Sequence, residues 1–198
     1  ESVTPWLDDV EFRDGLMRQY TVVNVPERGT LADVVATMGL QPDRIYNLKI
    51  TGEINEADFL YLRHQLPYLK AINLYDAKVY DQGTADRIPA EAFFEKDVLS
   101  HVVFPRHLRE IGRAAFAFTG LMGDLVIPEG VEKIGDTEDL NASPYHWGDY
   151  GVFAICKKLT GTLSLPSTLR FIETGAFEWS GLTGALSIPE SVTFIGSR

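Results

Sequence analysis

The side chains best suited to binding chemistry lie together in one polar stretch, residues 136–150. This stretch contains three large aromatic side chains, one histidine and four acidic residues. The candidate binding residues within it are Tyr145, His146, Trp147, Asp149 and Tyr150. Rings beside carboxylates favour sugar stacking or peptide recognition, because a ring offers an apolar face and a carboxylate accepts hydrogen bonds. The alternative is that Trp147 and Tyr150 fold back onto the body of the protein and only anchor the stretch.

Metal binding and catalysis find little support in the residue spacing. The oxygen ligands that calcium would need are available from Asp136, Glu138, Asp139 and Asn141. The stretch nevertheless lacks the glycine and the distal glutamate of an EF-hand loop. Cys156 follows the apolar run Phe153-Ala-Ile, which favours a buried structural thiol over a reactive one, although Lys157 and Lys158 are adjacent.

The four histidines are the remaining candidates for catalytic groups. They lie in different parts of the chain, without metal-ligand spacing or a serine–histidine–aspartate context: His64, His101, His107 and His146. We therefore predict no enzymatic activity, no cofactor and no bound metal.

The net charge and the amino-acid composition limit the classes of partner that this chain could bind. The formal net charge of −10 disfavours nucleic acid and anionic membranes, which need a basic face. Apolar residues at 45% and charged residues at 23% are typical of a globular protein. A single cysteine excludes an internal disulfide, and no apolar run approaches the roughly 18 residues of a membrane span.

An internal repeat of 23 residues organises the second half of the chain. Four strand-like runs end in Pro105, Pro128, Pro166 and Pro189, at intervals of 23, 38 and 23 residues. The same spacing recurs in Ile88, Ile111, Ile134, Ile172 and Ile195, and a phenylalanine precedes each proline by 12 or 13 residues: Phe93, Phe116, Phe153 and Phe177. The interval of 38 is a normal unit that carries 15 extra residues. One unit buries too few apolar side chains to stand alone, so the units must stack.

Upstream, the pattern changes to strand–helix units. Runs 47–51 and 71–75 are strand-like, and Asn55 is placed to cap a helix that extends to about Leu66, with Pro67 ending it. Residues 20–25 alternate as a strand, and a helix from Thr30 to Gly39 places Leu31, Val34, Val35 and Met38 on one face.

These patterns predict an α/β fold: a right-handed solenoid with short convex helices or turns. We expect residues 1–45 to form an N-terminal segment and cap, and residues 46–198 to form the solenoid, with an insert at 137–150. The two parts make one continuous domain, of about two helix-containing units and four short units. The last unit has no cover, so either the natural protein continues or another chain buries this end, which makes self-association an expectation.

Solenoids bind through insertions and through the side chains displayed on their sheet. Displayed positions are expected at Lys49, Thr51, Asn73, Tyr75, His101, Val103, Asp124, Val126, Thr162, Ser164, Ala185 and Ser187. Of these we single out Tyr75, His101 and Asp124 as candidate binding residues. The alternative is a plain solvated sheet.

One repeat motif occurs from Ile111 to Gly135 and nearly again from Ile172 to Gly196. Its pattern is Ile-Gly-x-x-Ala-Phe … Gly-Leu-x-Gly-x-Leu-x-Ile-Pro-x-x-Val-x-x-Ile-Gly. It resembles the BspA-like leucine-rich repeats of bacterial surface proteins, and the resemblance covers roughly residues 20–198. It implies a leucine-rich-repeat solenoid that is exported, often lipid-anchored, and active in adhesion. No ligand-binding residue is implied, because the motif is structural.

The resulting hypothesis is a non-enzymatic protein of the extracellular or outer cell surface that binds a protein or glycan on a host or microbial surface. Two alternatives stand beside it. One is a structural spacer that displays another domain, and the other is a glycan-binding accessory protein that uses the aromatic insert.

Overall fold

A computed structural model describes residues 10–13, 16–136 and 150–197 of the chain. The expected insert residues 137–149 therefore lie outside the described residues. Among the described residues, no helix has both the length and the apolar content needed to cross a membrane.

The first half mixes strands with two helices. In chain order these elements are β1 (Val10–Arg13), β2 (Leu16–Gln19), β3 (Thr21–Val25), α1 (Leu31–Thr37), a 3-10 turn (Pro42–Arg44), β4 (Asn47–Ile54), α2 (Glu56–His64), β5 (Ala71–Asn73), β6 (Ala77–Asp81), β7 (Thr84–Ala85) and β8 (Arg87–Ile88). The second half has strands and turns alone among its described residues: β9 (His101–Val103), β10 (Glu110–Ile111), β11 (Leu125–Val126), β12 (Lys133–Ile134), β13 (Leu163–Ser164), β14 (Phe171–Ile172) and β15 (Phe194–Ile195).

Two sets of parallel strands follow the repeat. In the first, β3, β4, β5 and β9 pair side by side, with Leu48, Ile72 and Val102 in one row. In the second, β8, β10, β12, β14 and β15 pair in the order of the chain. Its row contains the five marker isoleucines, Ile88, Ile111, Ile134, Ile172 and Ile195. The isoleucine interval predicted by the sequence is therefore the register of a ladder, which confirms that the units stack.

Smaller pairings complete the sheets. β11 pairs with β13 as a separate parallel pair, and β6 pairs with β4 in parallel and with β7 antiparallel. β1 and β2 pair antiparallel.

The core contains a column of phenylalanine rings. Phe93, Phe116 and Phe153 are fully buried, and successive ring centroids from Phe93 through Phe116 and Phe153 to Phe177 lie 5.4, 5.3 and 5.6 Å apart. All three neighbouring pairs are stacked, at interplanar angles of 25°, 8° and 2°. Aligned rings at this spacing confirm the predicted column and show that each unit supplies one ring to a shared interior.

The backbone around the column repeats with it. Two residues after each ring, Glu95, Phe118, Ile155 and Trp179 have φ of 60°, 59°, 60° and 55°. This left-handed region is unfavourable for large and β-branched side chains, so the surrounding unit must impose it. Stacking also requires a glycine at position 112, because a side chain there would collide with the backbone of Pro89 and Ala90 in the preceding unit.

Asp58 joins the two helices. Its carboxylate accepts the backbone N–H groups of Gly29 at 2.7 Å, Leu31 at 2.9 Å and Asn55 at 2.9 Å, although the side chain is almost fully buried. Asn55 in turn accepts the N–H of Ala57 at 3.1 Å, so the predicted N-cap of α2 is confirmed. One side chain thus satisfies donors at the start of α1 and of α2.

Lys96 holds the other end of α2. Its buried ammonium donates to the carbonyls of Leu66 at 2.8 Å and Arg63 at 3.0 Å. Burial lowers the pKa of Lys96 to about 8. A cation at this end of a helix satisfies carbonyls that lack helical partners.

Two details differ from the sequence predictions. Met38 is half exposed, because α1 ends at Thr37 before the predicted apolar stripe is complete. The run 186–188, predicted as a strand, forms none, because it does not pair with β13, the equivalent run of the preceding unit.

We expect Phe116→Ala to destabilise the protein by about 3–5 kcal/mol, because it leaves a ring-sized cavity between two stacked neighbours. Phe116→Leu should cost less, and Trp179→Ala should change stability little, since Trp179 is 71% exposed. Urea unfolding followed by circular dichroism measures all three. Equal losses for Phe116→Ala and Trp179→Ala would contradict a column that the fold depends on.

We expect Asp58→Ala to cost about 3 kcal/mol, because three backbone N–H donors, of which that of Leu31 is buried, lose their acceptor. Asp33→Ala is the matched control, since Asp33 is exposed in the first turn of α1. The same urea unfolding applies. A loss for Asp58→Ala no larger than that for Asp33→Ala would show that the carboxylate does not hold the helices together.

Candidate functional site

The first parallel sheet is interrupted between β9 and β11. The described backbone makes one hydrogen bond across this junction, from Met122 N–H to the Ser100 carbonyl at 3.3 Å. The second ladder continues without a break past the same point, where β10 pairs with β12. The two units therefore remain stacked while their sheet strands separate.

A cleft of about 310 Å³ fills this interruption, and we name it the β9–β11 cleft. Its apolar lining consists of Val102, Val103, Phe104, Pro105, Leu121, Met122, Leu125, Val126, Pro128 and Leu159. Phe104 turns edge-on against Phe116 of the column, with centroids 5.7 Å apart. The cleft thus joins the surface to the shared core.

Polar side chains line the same cleft. They are Tyr75, Ser100, His101, Arg106 and Asp124. The Arg106 guanidinium lies 5.7 Å from the centre of the Tyr75 ring and 3.3 Å from the Asp76 carboxylate, which also binds Lys49 at 3.1 Å. An apolar interior with a few convergent polar groups is the usual composition of a binding pocket.

The structure brings together the three sheet-face residues singled out from the sequence, because Tyr75, His101 and Asp124 all line the cleft. Their surroundings differ from a displayed face, however. Tyr75 is 39% exposed, whereas His101 is 9% exposed. The expected exposure is wrong for His101 and likewise for Lys49, Asn73 and Val103, which are all buried. Neighbouring units close over these positions, and alternation along one strand cannot reveal that.

Asp124 has a structural contact that the sequence did not indicate. Its Oδ1 accepts the Thr162 N–H at 2.6 Å and the Thr162 hydroxyl at 2.8 Å. Glu129 makes the equivalent pair of contacts to Ser167, at 3.0 and 3.1 Å. Each carboxylate thereby joins its unit to the next one, although 38 residues separate the partners.

Of the aromatic insert, Tyr150 is the member that the structure describes. Its partly buried ring lies edge-on to Phe118, with centroids 4.7 Å apart, and 6.1 Å from Phe94. This packing on the flank of the units agrees with the anchoring alternative for Tyr150. Tyr145, His146, Trp147 and Asp149 lie outside the described residues, and their binding role stays a prediction.

The remaining candidates for chemistry are occupied by structural contacts. Cys156 is fully buried, its thiol lies 3.0 Å from the Phe116 carbonyl and 3.3 Å from the Thr119 hydroxyl, and burial raises the pKa of the thiol. This confirms the predicted structural cysteine. Asp136, one of the acids weighed for calcium, binds Arg87 at 2.6 Å and the Arg113 N–H at 3.0 Å. Within residues 19–136 and 150–197, no three His, Cys, Asp or Glu side chains are grouped to hold a metal ion.

Comparison with known families decides the identity of the repeat. The model of the BspA type leucine rich repeat region matches six copies, over residues 73–138 and 148–198, which is more than half of the chain. The chain belongs to the BspA-type leucine-rich-repeat family. The resemblance inferred from Ile111–Gly135 is thereby confirmed, and the mixed α/β architecture is that of a leucine-rich-repeat protein.

Solved structures resemble this BspA-type chain at low identity. A leucine rich cell surface protein from Faecalibacterium prausnitzii A2-165 is 20% identical with a TM-score of 0.55, and the match covers 96% of this chain and 42% of that one. A leucine-rich repeat protein from Bacteroides ovatus ATCC 8483 is 21% identical with a TM-score of 0.43, covering 88% of this chain and 37% of the other. The chain thus spans less than half the length of either protein. The search of curated proteins found no match.

Glu173 departs from the BspA-type pattern in a way that the sequence analysis overlooked. Three units have glycine after the marker isoleucine, at Gly112, Gly135 and Gly196, whereas Glu173 follows Ile172. Its side chain lies where a side chain at position 135 would otherwise be, and its Oε2 accepts the Asp136 N–H at 3.1 Å. The broken Ile-Gly pattern was the available signal.

The environment of Glu173 opposes its charge. Oε1 is buried without a hydrogen-bond partner among the described residues. Burial raises the pKa of Glu173 to about 7, since desolvation, together with the negative charge of Asp136, outweighs the hydrogen bond from the Asp136 N–H and the positive charge of Arg113. An acid whose pKa is higher in the folded state contributes stability below its unfolded value of 4.5 and loses that contribution as pH rises through about 7.

We therefore expect Glu173→Gln to raise the free energy of unfolding of this BspA-type chain more at pH 8 than at pH 4. The difference between the two pH values should reach up to about 3 kcal/mol. Glutamine keeps the acceptor for the Asp136 N–H and removes the charge. Urea unfolding between pH 4 and pH 8 measures the difference, with exposed Glu190→Gln as the control. A stability difference between wild type and Glu173→Gln that does not change with pH would contradict the burial of a charged Glu173.

Proposed function

We propose that this BspA-type chain is a non-enzymatic binding protein of the cell surface, and that it contacts a protein partner through the β9–β11 cleft. The observation that carries the proposal is the interrupted sheet, which leaves an apolar cleft of about 310 Å³ with polar groups at its lining. A repeat unit does not need such an interruption in order to stack, because the second ladder is continuous at the same point.

The lining favours a protein over a glycan. Ten of the lining residues named above are apolar, and an apolar side chain of a partner replaces water there more favourably than sugar hydroxyls would. Tyr75 and Arg106 at its border belong to the residue types that dominate protein interfaces. The half-exposed Met122 and Val126 extend the apolar surface outward from the cleft.

We infer the architecture that presents this cleft. The units wind as one right-handed solenoid, with residues 1–45 covering its first coil and forming one domain with residues 46–198. The parallel ladders support winding in one direction, and parallel crossovers are right-handed in nearly all proteins.

We place the protein at the extracellular or outer cell surface, held there by a lipid anchor. The similar Faecalibacterium prausnitzii protein is a leucine rich cell surface protein, and this supports the location. The macromolecule it binds would be a protein of a host or microbial surface, in an adhesive contact. The test below has two competing outcomes. One is a spacer role without any partner, and the other is a glycan partner bound by Tyr145, His146, Trp147, Asp149 and Tyr150.

We expect Val126→Glu to reduce binding at least about tenfold, because a charge inside an apolar cleft must be desolvated when the partner binds. Val126 is 47% exposed on β11, so the change should leave the fold intact. Val22→Glu is the matched control, since Val22 is a 36% exposed strand valine on β3, away from the cleft. Binding is measured first on arrays of matrix proteins and glycans, and then by interferometry on each positive.

The outcomes separate the hypotheses. Protein binding that is lost in Val126→Glu and kept in Val22→Glu supports the cleft. Glycan binding that is lost on deletion of residues 137–149, with Val126→Glu unaffected, would support the insert instead. No binding by any form would favour the spacer.

A further inference from the structure

The walls of the β9–β11 cleft are edges of two internal strands. β9 pairs with β5 on one side, and β11 pairs with β13 on the other. The remaining edges of β9 and β11 face each other across the cleft without pairing. Units that stack normally lie before and after this point, because the second ladder runs from β8 to β15. The two open edges are therefore part of the middle of the array.

The backbone of β9 leaves hydrogen-bonding groups directed at the cleft. The Leu74 N–H donates to the Val103 carbonyl at 2.9 Å, so Val103 pairs toward β5. Because alternate residues of a strand direct their backbone groups to opposite edges, Val102 and Phe104 direct theirs toward the cleft. The N–H groups of Val102 and Phe104 have no hydrogen-bond partner among the described residues.

The backbone of β11 offers the same groups from the other wall. The N–H groups of Leu125 and Ile127 donate to the carbonyls of Thr162 and Ser164, at 2.8 and 3.0 Å, and both bonds lead toward β13. Val126 lies between these two residues, so its N–H and carbonyl are directed toward β9. Within the part of the chain that the structure describes, Val126 makes no backbone hydrogen bond in that direction.

The burial of these residues favours a backbone as the missing partner. Val102 and Phe104 are each 8% exposed, and an unpaired backbone group at a buried position costs free energy. Val126 is 47% exposed, so one wall is open to an incoming chain. An extended segment carries N–H and carbonyl groups along both of its edges, and it is therefore complementary to both walls at once.

We propose that the partner protein inserts one extended segment between β9 and β11 and pairs with both strands. The first parallel sheet then continues through the segment into the pair of β11 and β13. Alternate side chains of the segment would be apolar, because one face of the inserted strand lies against the apolar lining of the cleft. This inference rests on the proposed function and specifies the form in which the partner binds.

A synthetic peptide tests the insertion. The probe is a fluorescent heptapeptide in which threonine and valine alternate, with a lysine added at each end for solubility. Two further versions carry methyl groups on the backbone nitrogens of the valines alone or of the threonines alone. Because alternate residues donate to opposite edges, each methylated set removes the donors to one wall. We expect either set to weaken binding at least about tenfold in fluorescence anisotropy.

Protein variants and amide exchange locate the peptide. Val126→Glu should abolish binding of the unmethylated peptide. Val22→Glu is the matched control and should not change it, since Val22 lies on β3, whose outer edge is also unpaired among the described residues. Hydrogen–deuterium exchange should show that the peptide protects the amides of Val102, Phe104 and Val126, while those of β3 keep their rates.

The methylated peptides separate insertion from other modes of binding. Weakening by only one methylated set would mean that the peptide adds to a single edge, and weakening by neither would mean that side chains alone hold it. Either result overturns the insertion, as does a peptide that does not bind at millimolar concentration or that protects β3 instead. In each of these cases, a protein partner whose binding is still lost in Val126→Glu would leave the proposed function of the cleft intact.

Discussion

Each unit of this protein closes the apolar interior of the unit before it. The column from Phe93 to Phe177 keeps ring centroids 5.3–5.6 Å apart, and the isoleucine ladder keeps the same register on another side of the units. Because a single 23-residue unit cannot bury enough apolar surface to offset its ordering, stability comes from contacts between units. The stacking is strong enough to hold Phe118, Ile155 and Trp179 in a left-handed backbone that such residues avoid elsewhere.

Stacking departs from its pattern at two places in the described residues. At the β9–β11 junction the sheet opens while the isoleucine ladder continues, so a cleft forms without loss of the core. At Glu173 a carboxylate replaces a glycine and remains buried beside the start of the longer unit. A regular array offers a uniform surface, so such irregularities create distinct sites.

Polar groups in the first half position the helices and therefore the sheet from which the cleft is built. Asp58 joins the starts of α1 and α2, and Lys96 binds the carbonyls at the end of α2. Both side chains are buried. Asp58 accepts from backbone N–H groups and Lys96 donates to backbone carbonyls, and these groups at the helix ends have no partner within the helix. Asp76 pairs with both Lys49 and Arg106, and these ion pairs connect the first sheet to the border of the cleft.

The unit length, the phenylalanine and isoleucine registers, the N-cap at Asn55 and the family could all be predicted from the sequence, because they follow from spacing along one chain. It did not reveal that the isoleucines form two-residue strands, since so short an element has no periodicity. It also misjudged the exposure of Lys49, Asn73, His101 and Val103, and it expected a strand at 186–188. These features and the β9–β11 cleft emerge only when the units pack together, because burial and strand pairing depend on the neighbouring unit rather than on the residue's own segment.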